Sequence, residues 1–307
     1  MKVAIILCVK NGEKFLKEQL VSIKNQSYKN FDLHIFYNDS RDDSLRIIKD
    51  FISSNENLTV SWYQGKDMHF ANNFISGLKQ LTFEYEYYAF CDQDDIWLGD
   101  HLKRSIEKIG SLSTNIAALF CSRTLLIDHK GRKLGKSMHF RKNPSFKNAL
   151  VQSIAGGNTM VFNKKAFDYI CLADESLNII SHDWLLYLFV TASGGKVFYS
   201  QKPSVLYRQH AKNKIGSNLG FLNKFRRIKM LLKGDFNKYN THNFEQLDKF
   251  KFITQENMNV YELYKESFKG NFISRFFSLI RSGVYRQTFF GQIGLLINIF
   301  IKNGRNY

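Results

Sequence analysis

Short apolar runs alternate with helix-like patterns through the first hundred residues. Strand-length runs occur at Val3–Val9, at Phe31–Tyr37, at 58–63 and from Tyr87 to Cys91. Each run is followed by apolar residues at helical spacing, the third helix covering 70–81. Strands that alternate with helices in this way predict an α/β fold with a parallel sheet and right-handed crossovers.

Polar residues follow three of these strands at the point where each strand ends. They are Lys10-Asn11 after the first, Asn38-Asp39 after the second and Asp92-Gln93-Asp94-Asp95 after the fourth. In an open parallel sheet, ligands bind at the carboxyl ends of the strands. The sequence therefore predicts one polar ligand site at this edge of the sheet.

The acidic group after the fourth strand indicates a bound cation. Asp92 and Asp94 are two residues apart, so a strand end would point both carboxylates to one side, where they repel each other without a cation. Oxygen ligands of this kind suit Mg²⁺ or Mn²⁺ carrying a diphosphate. The sequence has no glycine-rich phosphate loop, which favours the metal. The alternative is a solvated acidic turn, with Asp95 capping the helix that follows.

The pattern leaves this simple alternation after residue 116. It predicts a strand at 117–127, a helix at 145–152, a helix from His182 to Ala192 and a short strand at 196–200. Gly156-Gly157 indicates a backbone that another group approaches closely, or an ordinary bend at a strand end. The segment from Tyr207 to residue 216 is a predicted loop. Helices are predicted at 221–233, 243–253, 258–267, Phe272–Ser282 and 289–301.

Charge separates the last third of the chain from the rest. The 307 residues carry a net charge of +17, and residues 211–307 hold 17 Lys and Arg against 6 Asp and Glu. Basic segments of this kind bind nucleic acid, anionic lipid or acidic substrates. The predicted helix at 221–233 mixes apolar and basic residues as an interfacial helix does. We expect docking on an anionic membrane surface; the alternative is packing on the rest of the chain or on a second subunit.

Other features bear on the compartment. No apolar stretch approaches twenty residues, so a spanning helix is not predicted. The N-terminal apolar run has strand length and no small-residue cleavage site, so it is not a predicted signal peptide. The four dispersed cysteines fit reduced thiols of a cytosolic protein.

Five sequence blocks, in order along residues 1–216, resemble the family 2 glycosyltransferases. Within that family they are similar to the bacterial rhamnosyltransferase-like group that builds surface polysaccharides. The blocks are Val9-Lys10-Asn11-Gly12-Glu13 with Glu18-Gln19-Leu20, Phe90-Cys91-Asp92-Gln93-Asp94-Asp95-Ile96-Trp97, Gly156-Gly157-Asn158-Thr159-Met160, His182-Asp183-Trp184 and Tyr207-Arg208-Gln209-His210.

The resemblance implies a GT-A fold with a mostly parallel sheet. It implies a catalytic domain over 1–216, with a nucleotide-sugar half at about 1–100 and an acceptor half at about 101–216, followed by a basic helical region over 217–307. It also implies a nucleoside-diphosphate sugar donor (a dTDP- or UDP-sugar), a divalent cation (Mn²⁺ or Mg²⁺) and inversion at the anomeric carbon. The sugar would be rhamnose by resemblance only. We expect a glycan or lipid-linked acceptor and a cytoplasmic enzyme on the inner face of the cell membrane, with a homodimer as a further possibility.

The resemblance also assigns roles to single residues on the donor side. Asp94 and His210 would coordinate the metal, Asp92 would bind metal water or the donor ribose, and Arg208 would bind the diphosphate. The nucleobase would meet Val9, Asn11 and either Asn38 or Asp39. That choice stays open because Asn38-Asp39-Ser40 is one residue shorter than the usual acidic pair with Gly-Ser. Because Val9-Lys10 replaces a common Thr-Tyr, the base is expected to meet mainly backbone groups there.

On the acceptor side, the resemblance makes Asp183 the catalytic base, although Asp also favours helix starts for structural reasons. The acceptor-binding candidates are Trp97, Thr159, Met160, His182 and Trp184. Core packing is the alternative for Trp97, Thr159, Met160 and Trp184.

Two other functions compete with this interpretation. A nucleotidyltransferase should carry a glycine- and arginine-rich loop after the first strand, and Lys10-Asn11-Gly12-Glu13 is not one. A non-catalytic basic module could bind membrane or nucleic acid. The clustered carboxylates after the fourth strand would repel a nucleic-acid phosphate backbone, so nucleic acid is not an expected partner.

Overall fold

The structure, a computed structural model, describes residues 1–65, 68–210 and 235–298, of which 235–238 by backbone alone. One nine-stranded sheet runs through it, in the order β3-β2-β1-β4-β8-β6-β9-β5, with β7 paired to β6. The strands are β1 Val3–Val9, β2 Phe31–Tyr37, β3 Val60–Gln64, β4 Tyr87–Cys91, β5 Ile96–Trp97, β6 Ala118–Ile127, β7 Lys133–Lys136, β8 Val161–Asn163 and β9 Lys196–Arg208.

The predicted parallel sheet is confirmed for the first four strands. β1 lies between β2 and β4, with Val9 opposite Tyr37 and Leu7 opposite Cys91, so the carboxyl ends of the three strands lie at one edge. β3 lies at the edge of the sheet and is partly exposed. β1, β2 and β4 are buried on both sides because helices cover both faces. These helices are α1 Leu16–Lys24, α2 Ser44–Ser53, α3 Phe70–Lys79 and α4 His101–Ile109. β3 starts two residues later than predicted, because the Leu58 N–H bonds the Asn55 carbonyl in a turn.

The second half of the sheet is mixed. β8 pairs antiparallel with β4 and β6, whereas β9 runs parallel to β6. The strand predicted at 196–200 is the first part of β9, which continues to Arg208. The register shifts between Ser122 and Thr124, and this irregularity accommodates Pro203 within β9. Arg208 therefore ends a strand, and its predicted position in a loop is wrong.

Three further helices link these strands. They are α5 Phe146–Ala149, α6 Lys164–Ile170 and α7 His182–Ala192, with a 3₁₀ turn at Gly157–Thr159. α5 is shorter than the predicted helix at 145–152, and α7 matches its prediction. Its residues are almost all buried, as expected for a helix without a polar face.

The last four helices are α8 Asp235–Lys249, α9 Gln255–Glu266, α10 Phe272–Ser282 and α11 Phe289–Asn298. α8 and α9 pack on α7: the Phe250 ring stacks on Phe189 at 4.2 Å, and Asn257 Nδ2 donates to the Thr191 carbonyl at 2.9 Å. The helix predicted at 221–233 lies outside the described residues. Within the described ranges, every helix is too short or too polar to cross a membrane.

Candidate active site

The loops after β1 and β2 are bonded to each other at the carboxyl edge of the sheet. Asn11 Oδ1 accepts the Arg41 N–H (2.8 Å), and the Asn11 N–H donates to Ser40 Oγ (2.9 Å). Asn11 has a φ of 49°, a left-handed conformation that Asn tolerates better than most residues. The Asn38 N–H donates to the Val9 carbonyl at 2.8 Å. The residues predicted to bind the nucleobase are therefore neighbours.

Asn38 and Asp39, which the sequence left as alternatives, have different environments. Asn38 is buried, and a Cβ on Gly65 would overlap its side chain. Asp39 is exposed, and its Oδ1 accepts from Gln64 Nε2 at 2.6 Å. Asp39 is thus the more accessible of the two side chains.

Gln93 joins the acidic loop to the loop after β1, a contact that sequence patterns did not indicate. Its Oε1 accepts the Lys10 N–H (2.9 Å), and its Nε2 donates to the Lys10 carbonyl (3.0 Å). A side chain on Gly12 would displace it, since a Cβ there would lie 2.5 Å from Gln93 Oε1. Both polar backbone groups of Lys10 therefore bind Gln93, although the sequence predicted that they meet the nucleobase.

Among the carboxylates after β4, Asp94 contacts His210. His210 Nε2 lies 2.7 Å from Asp94 Oδ2, so the chain brings together two residues that are 116 positions apart. Burial, and then the negative charges of Asp94 and Asp183, raise the pKa of Asp92. The electrostatic influence of Asp183 on Asp92 means that the predicted base and the predicted metal-site residues belong to one site.

Asp95 is not the helix cap that the sequence predicted. β5 separates it from α4, whose N-cap residue is Asp100. Asp95 is fully buried, its Oδ1 accepts the Arg208 N–H at 3.0 Å, and its Oδ2 accepts from Asn158 Nδ2. Asp95 therefore ties the acidic loop to β9 and to the 3₁₀ turn.

Arg208 is buried beneath this loop. Its Nε donates to the Asp94 carbonyl (3.0 Å), a terminal nitrogen pairs with Glu18 Oε2 (2.5 Å), and its guanidinium lies 4.4 Å from the centre of the Phe15 ring. The Phe15 ring also contacts the His210 ring at 5.3 Å. Arg208 and Phe15 thus support the Asp94–His210 pair from below.

Asp183 lies in the first turn of α7 and faces the 3₁₀ turn. Its Oδ2 accepts the Gly157 N–H (3.0 Å), and its Oδ1 accepts the Trp184 N–H (2.6 Å) and the Ser181 hydroxyl. Burial raises the pKa of Asp183 above its usual value, although these hydrogen bonds favour the ionised form. A carboxylate with a raised pKa and a fixed orientation can accept a proton from a substrate hydroxyl.

Comparison with known proteins decides the family. Residues 4–171, more than half of the chain, match the profile of Glycosyl transferase family 2. The dTDP-rhamnosyl transferase RfbG of Shigella flexneri is 31% identical over 235 residues, which cover 71% of this chain and 76% of RfbG. The chain belongs to glycosyl transferase family 2. An uncharacterised glycosyltransferase of Rickettsia typhi is 25% identical over 263 residues, covering 79% of this chain and 77% of that protein.

Solved structures agree on the fold of this family 2 glycosyltransferase. TarS 1-349 of S. aureus in complex with UDP-GlcNAc superposes with a TM-score of 0.53 at 18% identity, covering 93% of this chain and 82% of that one. The mannosyltransferase PcManGT of Pyrobaculum calidifontis, in complex with GDP-Man and Mn²⁺, gives a TM-score of 0.52 at 15% identity, covering 98% and 86%. The expected GT-A fold is confirmed.

The glycosyltransferase buries most of the predicted acceptor-binding residues. Trp97, Thr159 and Met160 lie in the interior, where Trp97 Nε1 donates to the Asn158 carbonyl at 3.1 Å. His182 stacks on Phe74 at 4.0 Å, and burial lowers the pKa of His182 to about 3. These positions match the core-packing alternative.

Trp184 alone of the predicted acceptor residues is only partly buried, and its Nε1 donates to the Ala149 carbonyl at 2.6 Å. The close approach predicted at the paired glycines comes from the protein itself. A Cβ on Gly157 would lie 2.5 Å from His182 Nε2, so this ring fills the space that the glycine leaves.

The residues at the Asp94–His210 pair have the chemistry of a divalent-cation site. A carboxylate oxygen and an imidazole nitrogen 2.7 Å apart are suitable ligands for Mn²⁺, and the mutual repulsion of Asp92, Asp94 and Asp183 would be relieved by a cation. Across the described part of the chain, no three His, Cys, Asp or Glu residues converge as a complete ligand set. The pair would therefore need further ligands from a bound diphosphate or water.

Proposed function

We propose that the enzyme transfers a sugar from a nucleoside diphosphate to a hydroxyl of a glycan or lipid-linked acceptor, with inversion at the anomeric carbon. The observation that carries this proposal is the position of Asp183. Its carboxylate is held by three hydrogen bonds on the same sheet edge as the Asp94–His210 pair, close enough to raise the pKa of Asp92. One proton acceptor and one diphosphate-binding pair are what such a transfer requires.

In the proposed reaction, Asp183 accepts the proton of the acceptor hydroxyl as its oxygen attacks the anomeric carbon. The new carbon–oxygen bond forms as the bond from that carbon to the diphosphate breaks, and the nucleoside diphosphate leaves with the electron pair. The raised pKa of Asp183 makes it a better proton acceptor near neutral pH than an ordinary carboxylate.

Asp94 and His210 would hold Mn²⁺ or Mg²⁺, with Asp92 binding a metal water or the donor ribose. When bound, the cation neutralises the charge that develops on the leaving diphosphate. The nucleobase would lie against the β1 and β2 loops, and Asp39 is the better candidate of the pair for contacting it because its carboxylate is exposed. Arg208 serves the site by supporting the Asp94 loop, since its guanidinium already bonds the Asp94 carbonyl and Glu18.

The relative RfbG, a dTDP-rhamnosyl transferase, supports a dTDP-sugar donor with rhamnose as the first candidate. The proposed product is a cell-surface polysaccharide. A UDP-sugar is the second candidate for the donor. The basic C-terminal region supports a location of the enzyme on the inner face of the cell membrane. The test is a screen of dTDP-, UDP- and GDP-sugars for nucleoside-diphosphate release with Mn²⁺ or with chelator. Release from a dTDP- or UDP-sugar that stops with chelator supports the proposal. Release that is equally fast with chelator would contradict the metal role.

A further inference from the structure

The outer side of α10 is covered by large apolar side chains. α10 buries Ser278, Leu279 and Ser282 on its inner side. On the other side, five apolar residues are exposed at helical spacing of three and four: Phe272, Ile273, Phe276, Phe277 and Ile280. Solvent-facing positions of a surface helix are normally polar. The exposed side of α10 is therefore more apolar than its buried side.

α11 continues this apolar surface. Its exposed residues are Phe289, Phe290, Ile293 and Ile297, of which the two phenylalanines are 75% and 81% exposed. Leu279 of α10 and Leu295 of α11 line the same small pocket, so the two helices are neighbours. We call these nine exposed residues the α10–α11 face.

The stretch of chain that forms the α10–α11 face is basic. Residues 267–298 contain Lys269, Arg275, Arg281 and Arg286 and no Asp or Glu. Lys269 and Arg281 are exposed. Nine large apolar side chains exposed on two helices mark an interaction site, because soluble monomers rarely expose extensive apolar surface without a partner. Aromatic and aliphatic residues bordered by cations are typical of helices that lie in the headgroup region of an anionic bilayer.

We propose that the α10–α11 face is a membrane-docking surface that inserts its phenylalanine rings into an anionic lipid bilayer. A second copy of the chain is a poorer partner for this face. A two-fold contact would bring the cations of both copies together, and this stretch offers no carboxylate to pair with them. An anionic bilayer supplies both an apolar phase for the rings and negative headgroups for the cations.

The α10–α11 face is also connected to the proposed acceptor side of the site. In the segment between the two helices, the Tyr285 carbonyl accepts from Asn148 Nδ2 at 2.9 Å, which anchors the segment on α5. α5 in turn bonds Trp184, next to Asp183, through the Ala149 carbonyl. Resting on the proposed function, this connection means that docking would bring Asp183 near the lipid surface, where a lipid-linked acceptor would be found.

The test measures flotation of the full-length protein with vesicles. Neutral phosphatidylcholine vesicles are compared with equimolar phosphatidylcholine and phosphatidylglycerol vesicles, at low and high salt. The docking variant is the double substitution Phe289→Ser with Phe290→Ser, and its control is Phe83→Ser, which removes a phenylalanine of similar exposure (72%) from another part of the surface. A second variant, Lys269→Gln with Arg281→Gln, removes only charge.

We expect the wild type and Phe83→Ser to float with anionic vesicles. The docking variant should lose at least about tenfold in partition coefficient, because two exposed rings no longer enter lipid. The charge variant should lose preference for anionic over neutral vesicles, and high salt should do the same to the wild type.

Equal flotation of the docking variant and the wild type would overturn the proposal. So would a wild type that ignores vesicles but is a dimer by light scattering, if the docking variant is a monomer; the face would then belong to a second copy. Release of nucleoside diphosphate from the donor in solution reports separately on the proposed function. A protein that floats without turnover would contradict the function but not the docking surface.

Discussion

Replacing Arg208 by Met tests whether this residue supports the active-site loop or binds the diphosphate. Met places an unbranched apolar side chain in the same buried space but has no hydrogen-bond donor. In the wild type, the Arg208 side chain is 1% exposed. Its guanidinium donates a hydrogen bond to the Asp94 carbonyl, pairs with Glu18 and contacts the Phe15 ring. If Arg208 supports the loop, the substitution should lower the free energy of unfolding even in the absence of the nucleotide-sugar.

The size of the effect follows from the three contacts. The charged hydrogen bond to the Asp94 carbonyl contributes about 1.5–3 kcal/mol. The pair with Glu18 contributes about 0–1 kcal/mol, because the Glu18 side chain is 54% exposed and solvent screens the interaction. The contact with the Phe15 ring adds roughly 0.5–1 kcal/mol. Together these contacts predict that Arg208→Met lowers the free energy of unfolding by about 2–4 kcal/mol. This upper value is below the sum of the three contributions because Met still packs in the same space.

Urea unfolding of the ligand-free protein, with nucleotide affinity measured in parallel, separates the two roles. Glu18→Gln is the matched control: it weakens only the exposed pair and should cost less than about 1 kcal/mol. An Arg208→Met variant that unfolds at the wild-type urea concentration but binds the nucleotide more weakly would refute the supporting role. Arg208 would then be the diphosphate ligand that the sequence predicted.

Two further variants test the base and a buried histidine. Asp183→Asn keeps an oxygen that accepts the Gly157 N–H, so the variant should bind the nucleotide-sugar normally but transfer the sugar about 10²–10⁴-fold more slowly. The surface variant Asp168→Asn is the control. Turnover by Asp183→Asn within a few-fold of wild type would show that Asp183 is not the base. Burial lowers the pKa of His101 to about 3, below its usual 6.5. Between these two values His101 is protonated in the unfolded chain but neutral in the folded protein. Its contribution to stability is complete above pH 6.5 and declines as the pH falls toward 3. Between about pH 6 and 5 the wild type should lose about 1 kcal/mol more stability than His101→Gln, measured by urea unfolding, and equal slopes would contradict a neutral buried His101.

The parallel half of the fold was predictable from the sequence because three of its four strands, β1, β2 and β4, are buried on both faces. β1 and β2 start and end where their apolar runs do. β9 was underestimated because Gln201-Lys202-Pro203 has the composition of a turn, whereas the register shift opposite it lets the strand continue. Local composition cannot indicate a strand irregularity that depends on the partner strand.

The site was predictable where a motif supplies the residue and not where a tertiary contact does. Asp183 and the Asp94–His210 pair follow from sequence blocks. The contacts of Gln93 with Lys10 and of Asp95 with Asn158 join residues more than sixty positions apart. Local sequence patterns therefore cannot predict them. Similarly, the apolar residues of α10 lie on one side and predicted a helix, but an apolar side is normally the buried one, and here it is exposed.

The central claim is that Asp94 and His210 bind the donor diphosphate through a divalent cation. Calorimetric titration of dTDP and UDP into the protein, with Mn²⁺ or with chelator, tests it most directly. The wild type and a surface control, Glu107→Ala, should bind the preferred nucleotide only with Mn²⁺, and Asp94→Ala should lose that binding. Full affinity in the presence of chelator, or in Asp94→Ala, would contradict the claim.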